Sequence, residues 1–296
     1  MDHSHFQDQG SAKAHTLHPK SVTDRLAIHP DLTRRLLVDF IRQEVRKFGF
    51  NRVVLGLSGG IDSALSATLA TEALGPENVV GIMLPYRTSS PESEGHARLL
   101  IEQLGIQGDI IDITPMAEPL FEHYGGDLSN LRRGNILARL RMVAVFDRSA
   151  AENALVLGTS NKTEYLLGYT TWYGDSAASI QPIGDLYKTQ IRALSRAVGV
   201  PAPIIEKKPS ADLWPGQTDE SEMGLSYDLV DQVLYLLVDE RLDPHYVVEM
   251  GFDAALVDRV VRTVRNNQYK RMTPIIAKVG SRTPGIDFRY PRDWGH

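Results

Sequence analysis

Four short apolar runs, RVVLGL (52–57), VVGIML (79–84), DIIDI (109–113) and ALVLGT (154–159), alternate with longer segments of helical period. The helical segments run from Asp62 to Leu74, from Pro91 to Leu104, over about 131–152 and from Tyr187 to Val198, the last after an extended piece at 179–186. Proline in the first turn and Gly105 just past the end delimit the second of these. Strands that are apolar throughout and separated by helices need both faces covered, which means a parallel sheet between helical layers. The expected fold is therefore α/β, a doubly wound parallel sheet of about five strands, with a helical C-terminal part reaching about Met272. Such sheets bind ligands beyond the carboxyl ends of their strands, where the strand order reverses. The loops beginning at Ser58, Pro85 and Thr159 are the places to look.

Ahead of the first strand, Leu32, Leu36, Leu37, Phe40, Ile41 and Val45 recur at helical spacing, and Leu36, Phe40 and Ile41 are read as a core-facing stripe. Residues 1–25 are polar and contain His3, His5, His15 and His18 without regular ligand spacing, so they read as a disordered extension; a metal-binding tail is the other reading. Residues 26–296 read as a single domain. Within it, KKPSADLWPGQTDESE (207–222) is a long polar loop with two prolines, either a lid that packs Trp214 down on closing or a solvated linker.

A net charge of −5 argues against a general nucleic-acid binder. No apolar run approaches a membrane span, and MDHSHFQDQGSAKAH lacks the apolar core of a secretory signal, so a cytoplasmic location is expected. The chain has no cysteine, which excludes disulfides, thiolate metal sites and any cysteine nucleophile within it.

The first strand runs into LGLSGGIDS (55–63). Two glycines allow backbone N–H groups to approach a ligand, and the following helix adds its positive end. Ser58 and Ser63 supply hydroxyl donors. The lysine of the usual phosphate loop is missing, and Asp62 stands in the cradle instead. Asp62 is either a helix cap or a ligand for a divalent cation that bridges to phosphate. The second reading requires another carboxylate and a basic partner. Glu164, after the fourth strand, supplies one, and Lys188, in the first turn of a later helix, supplies the other. Thr159 leaves the fourth strand close enough to reach a nucleotide.

LSGGIDS resembles the signature of the N-type ATP pyrophosphatases, which cleave ATP between its α and β phosphates and adenylate a substrate oxygen. RGNILARLRM (133–142), LGTSNKTEYLLGY (157–169), YGD (173–175), PIGDLYKTQ (182–190), KPSADLWPGQTDESEMGLSYDLVD (208–231), YKR (269–271) and GIDFRYPRDWG resemble the NAD synthetases in order and spacing, over roughly 31–295. That resemblance implies ATP-dependent amidation of deamido-NAD to NAD through an NAD-adenylate, with Mg²⁺ as cofactor, ATP as co-substrate, and release of AMP and pyrophosphate. It implies ATP contacts at Gly56, Leu57, Ser58, Gly59, Gly60, Ile61, Asp62, Ser63, Thr159, Lys188 and Ser210. It implies Mg²⁺ at Asp62 and Glu164, deamido-NAD at Arg139, Asp175, Tyr269 and Lys270, and catalytic roles for Asp175, toward the incoming ammonium, and Lys188.

Two positions depart from the ammonia-dependent pattern: Trp172 stands where many members carry lysine, and Ser179 where they carry aspartate. Another carboxylate substrate is the alternative that these departures motivate, and a non-catalytic nucleotide-binding regulator is a third. Glutamine-dependent relatives carry an amidase domain with a catalytic cysteine. With no cysteine, this chain is expected to take free ammonia, or ammonia from a separate donor. The resemblance also implies a homodimer with substrate at its interface. Leu131, Ile136, Leu137, Leu140, Met142, Val143, Val145 and Phe146 make the 131–152 helix apolar around most of its circumference, as either a buried core helix or a dimer-forming one.

Overall fold

The computed structural model describes residues 19–47, 49–125, 128–210, 224 and 226–291. Strands β1 (Val53–Gly56), β2 (Val79–Met83), β3 (Gln107–Ile110) and β4 (Leu155–Val156) form one parallel sheet in the order β3-β2-β1-β4. The first three strands wind outward in one direction and the fourth returns to the other side of β1. The order therefore reverses between β1 and β4, and the crevice opens beyond Gly56 and Gly158.

About five strands were expected and four form. The extended piece at 179–186 contributes only a bridge, Leu157 with Ile180 in parallel sense, before it turns away. Pro182 and Gly184 lie just beyond that bridge, and proline cannot donate to a ladder.

Alternation along the strands divides the core in two. Val53, Leu55 and Leu57 point into one layer, which α2 (Pro30–Arg46), α3 (Ile61–Leu74) and α8 (Lys188–Ala197) cover. Val54, Val80 and Ile82 point into the other, which α5 (Thr114–Tyr124) and α6 (Asn130–Ala151) cover. α4 (Pro91–Leu104) and α9 (Ala202–Glu206) add Ala97, Leu100 and Ile204 to the first layer, and α7 (Lys162–Leu167) follows β4. A third apolar cluster joins α1 (Pro19–Leu26), α10 (Tyr227–Leu234), α11 (Pro244–Glu249) and α12 (Ala254–Asn266).

Three expectations change. The N-terminal extension was read to residue 25, but Val22 and Leu26 of α1 are buried in the third cluster, so packing begins earlier; residues 1–18, with the four histidines, lie outside the described residues. In α2 the core stripe is Val38, Ile41 and Val45, whereas Leu36 is 62% and Phe40 39% exposed. In α6, Leu137 and Val145 are buried with Gly134, Ala138 and Ala144, but Leu131 (70%), Val143 (54%) and Phe146 (39%) are exposed, Leu131 and Phe146 at the rim of the cavity described below, so the helix is only half a core helix. Of the 207–222 loop, residues 211–222 lie outside the described residues.

Candidate active site

A cavity of about 830 Å³ occupies the crevice at the strand-order reversal. Its wall contains every residue expected to touch ATP, deamido-NAD or Mg²⁺, with Gly59 as the one exception.

At one end lies the turn after β1. Gly60 is the N-cap of α3 in extended conformation, so Asp62 sits inside the first turn and is not the cap. The turn is tied by hydroxyls: Ser63 Oγ donates to the Gly60 carbonyl at 3.0 Å and accepts from Ser58 N–H at 3.3 Å. Gly59 explains its own absence from the wall. Its φ is +71°, and a Cβ there would lie 2.0 Å from the Ser93 carbonyl oxygen on α4. Glycine is required there because another backbone occupies the space, not because a ligand does. Lys207, just after α9, donates to Ser93 Oγ at 2.7 Å, so three chain segments converge at that point.

Asp62 and Glu164 face each other across Lys188. The ammonium of Lys188 is ion-paired with Asp62 and lies 3.5 Å from Glu164 Oε1. The Lys188 side chain is 3% exposed and each carboxylate 17%, so the cation is enclosed while both acids open toward the cavity. Asn161 organises the pair. Its Nδ2 donates to Asp62 Oδ1 at 2.9 Å, and its Oδ1 accepts from Glu164 N–H at 2.9 Å. Glu164 Oε2 in turn accepts from Asn161 N–H at 3.3 Å, closing a capping box at the start of α7. Among the described residues no three His, Cys, Asp or Glu side chains cluster as a ready metal cage. Two hard oxygen donors and a net negative charge suit Mg²⁺, which takes one or two carboxylates and completes its shell with water and phosphate.

The other end is built from the segment 168–175 and the turn at 268–271. Arg139 donates through Nε and Nη2 to the Trp172 carbonyl at 3.3 and 3.2 Å. Trp172 stacks on Tyr173 with ring centroids 4.7 Å apart and meets the Tyr269 ring edge-on at 5.8 Å. Asp175 accepts from Thr171 N–H at 2.6 Å. Its carboxylate reaches cavity solvent but is ringed by protein, and that enclosure pushes its carboxyl pKa upward against the Thr171 N–H and the nearby Lys270. Lys270 donates to the carbonyls of Gly168 (2.7 Å) and Thr170 (2.8 Å), and burial pushes its ammonium pKa downward. Thr159 and Ser210 also line the wall.

Of the two departures, Trp172 is on the wall and Ser179 is not among the wall residues. The Ser179 hydroxyl accepts from Val156 N–H at 3.3 Å, so it serves the edge of the sheet. Sequence reasoning missed Asn161, Tyr86, Ser89 and Arg141. Arg141 donates to the Leu84 carbonyl at 3.0 Å and to Ser89 Oγ at 3.4 Å, which fixes the loop after β2 on the cavity wall. Asn161 had a signal, since N-K-T-E is a capping-box spacing. Arg141 had none, because its partners Leu84 and Ser89 are remote in sequence, and the local Tyr86–Ser89 turn carries no mark of the cavity it borders.

The model of the NAD synthase family matches residues 33–274. The chain is 56% identical over 263 residues to the NH(3)-dependent NAD(+) synthetase of Chlorobaculum tepidum, covering 89% of this chain and 95% of the relative. It is 57% identical over 271 residues to that of Trichlorobacter lovleyi, covering 92% and 99%. Among solved structures, the NH3-dependent NAD synthetase of Campylobacter jejuni superposes with a TM-score of 0.73 at 33% identity, covering 85% of this chain and all of that one. The NMN synthetase of Francisella tularensis gives 0.75 at 31%, covering 85% and 99%. With matches of this extent, and all the expected site residues but Gly59 lining one cavity, the chain belongs to the NAD synthase family.

Proposed function

We propose that the protein is an ammonia-dependent NAD synthetase, amidating the nicotinate carboxylate of deamido-NAD at the expense of ATP. The observation that carries this is the cavity itself, which joins a phosphate turn with a Lys188–Asp62–Glu164 cluster to a second end bearing Arg139, Asp175, Tyr269 and Lys270. ATP lies with its triphosphate on the Gly56–Ser63 turn, with Thr159 and Ser210 alongside. The substrate carboxylate attacks the α-phosphate, pyrophosphate leaves, and ammonia displaces AMP from the adenylate.

Charge grows on the leaving pyrophosphate, so donors and cations belong there. Lys188 supplies a fixed positive charge, and the α3 N-terminus adds its dipole. Mg²⁺ held by Asp62 and Glu164 would screen the phosphates and polarise the scissile bond. Asp175 takes a proton from the incoming ammonium, and its raised carboxyl pKa suits it to exchange protons nearer neutrality than an ordinary aspartate does. Trp172, where many members use a lysine, offers aromatic surface to the dinucleotide together with Tyr269.

The exposed apolar residues Leu131, Val143 and Phe146, on the helix that carries Arg139, support a homodimer with this end of the site near the interface. Among the described residues no helix is long and apolar enough to cross a membrane. We place the enzyme in the cytoplasm, using free ammonia or ammonia from a separate donor.

The deciding experiment is chromatographic detection of NAD from deamido-NAD, Mg-ATP and ammonium, with glutamine replacing ammonium in one arm and the mononucleotide acid replacing deamido-NAD in another. NAD and AMP in equal amounts with ammonium are expected. No AMP release with deamido-NAD and ammonium overturns the reading.

A further inference from the structure

The helix that follows residues 211–223 touches the cavity cluster from behind. Asp231, on α10, is completely buried and lies outside the cavity wall. Its Oδ1 accepts from the Thr163 hydroxyl at 2.6 Å, and its Oδ2 accepts from Thr189 N–H at 2.8 Å. The Thr163 hydroxyl oxygen in turn accepts from Lys188 N–H at 3.0 Å. The result is a chain of bonds linking the N-terminus of α7 to the N-terminus of α8 through one carboxylate. Thr163 immediately precedes Glu164, and Thr189 immediately follows Lys188. One turn before Asp231 on the same helix, the buried Tyr227 places its ring 5.4 Å from Lys188 Nζ.

A carboxylate suits this position. The α8 N-terminus presents its positive dipole end and the Thr189 N–H to it, α7 presents the fully buried Thr163 hydroxyl, and Asp231 itself is fully buried. An amide cannot substitute evenly. Asparagine has one acceptor oxygen and places an NH₂ donor against either a hydroxyl proton or an N–H, so one of the two bonds is lost in a buried site.

We propose that Asp231 is a positioning residue for the ATP half of the site: it sets the separation of Lys188 and Glu164 by holding α8 and α7 to a common point. This rests on the reading of the cavity as an ATP-cleaving site. Residues 68 positions apart, in the case of Thr163 and Asp231, are thereby made one unit.

The test uses the full-length enzyme, Asp231→Asn, Thr163→Val and Thr163→Ser, with steady-state kinetics in both substrates and Mg-ATP-induced thermal shifts. Asp231→Asn is expected to lower kcat roughly 10- to 100-fold, the scale for sub-ångström to ångström misplacement of catalytic groups, and to raise KM for ATP. KM for deamido-NAD is expected to stay within about twofold. Thr163→Val behaves alike, whereas Thr163→Ser, which keeps the hydroxyl, recovers most of the rate. A folded Asp231→Asn enzyme with kcat, ATP KM and Mg-ATP thermal shift like the parent overturns the proposal. If Asp231→Asn does not fold, the Thr163 pair decides, and equal rates for the valine and serine variants overturn it. Absence of NAD from the parent enzyme would instead overturn the amidation reading, while the Mg-ATP thermal shift still decides the role of Asp231.

Discussion

Replacing Gly59 by alanine separates the backbone reason for this glycine from any ligand reason. The φ of +71° lies in the left-handed region, where a Cβ costs about 1–2 kcal/mol. The added methyl would sit 2.0 Å from the Ser93 carbonyl oxygen and 2.9 Å from its Cα, so either the turn or the start of α4 must shift. Forcing a carbon into packed surroundings typically costs a further 1–3 kcal/mol. The sum is about 2–5 kcal/mol. At roughly 2–4 °C per kcal/mol for chains of around this size, Gly59→Ala should melt about 4–20 °C below the parent. Gly60→Ala is the control. Gly60 has φ −95°, and its Cβ would meet only the Ser58 hydroxyl, at 3.2 Å, so its melting temperature should move by no more than about 3 °C. Because the shift in Gly59→Ala displaces the turn that carries the phosphate donors, KM for ATP should rise as well. Differential scanning fluorimetry and ATP-dependent kinetics on both variants check this. Equal melting temperatures for the two would refute the argument, because they would mean that the contact with α4 is not constraining.

Lys188→Met leaves Asp62 and Glu164 facing each other without their cation, so the variant should lose stability in buffer with chelator and regain much of it on adding Mg²⁺ alone, by more than the parent gains; thermal shifts with and without the metal check it. Trp172→Ala removes aromatic wall at the dinucleotide end only, and should raise KM for deamido-NAD several-fold while leaving KM for ATP within about twofold. The raised Asp175 carboxyl predicts a pH-rate profile that falls on the acid side at a pH above the ordinary aspartate range, since protonation removes the acceptor for the ammonium proton. Asp175→Asn should abolish the acid limb of whatever rate remains.

The alternation of β-branched runs with helical period was enough to give the parallel sheet, and the order of the motifs was enough to give the cavity. Each is a local signal: backbone propensity, a glycine pair and proline–glycine punctuation act within one element. Where the reading went astray, the missing information was a neighbour far along the chain. Leu36 and Phe40 have the spacing of a core stripe, but which side of α2 meets α3 and α8 is set by packing, and Val38, Ile41 and Val45 turn inward instead. Residues 179–186 have the apolar character of a fifth strand, yet pair only at Ile180.

The sequence by itself marked the glycine turn after β1, the carboxylates Asp62 and Glu164 and the cation Lys188, and its resemblance to the family added Arg139, Asp175 and Lys270; the structure lines one cavity with all of them. Only the tertiary structure decided that a side chain at Gly59 would meet α4, that the Ser179 hydroxyl bonds to the Val156 N–H at the sheet edge, and that Asn161 bonds to Asp62 and Asp231 to Thr163 and Thr189. Buried polar groups must be paired, and the partner that satisfies each is chosen by which helices pack together, a choice that no local stretch of chain contains.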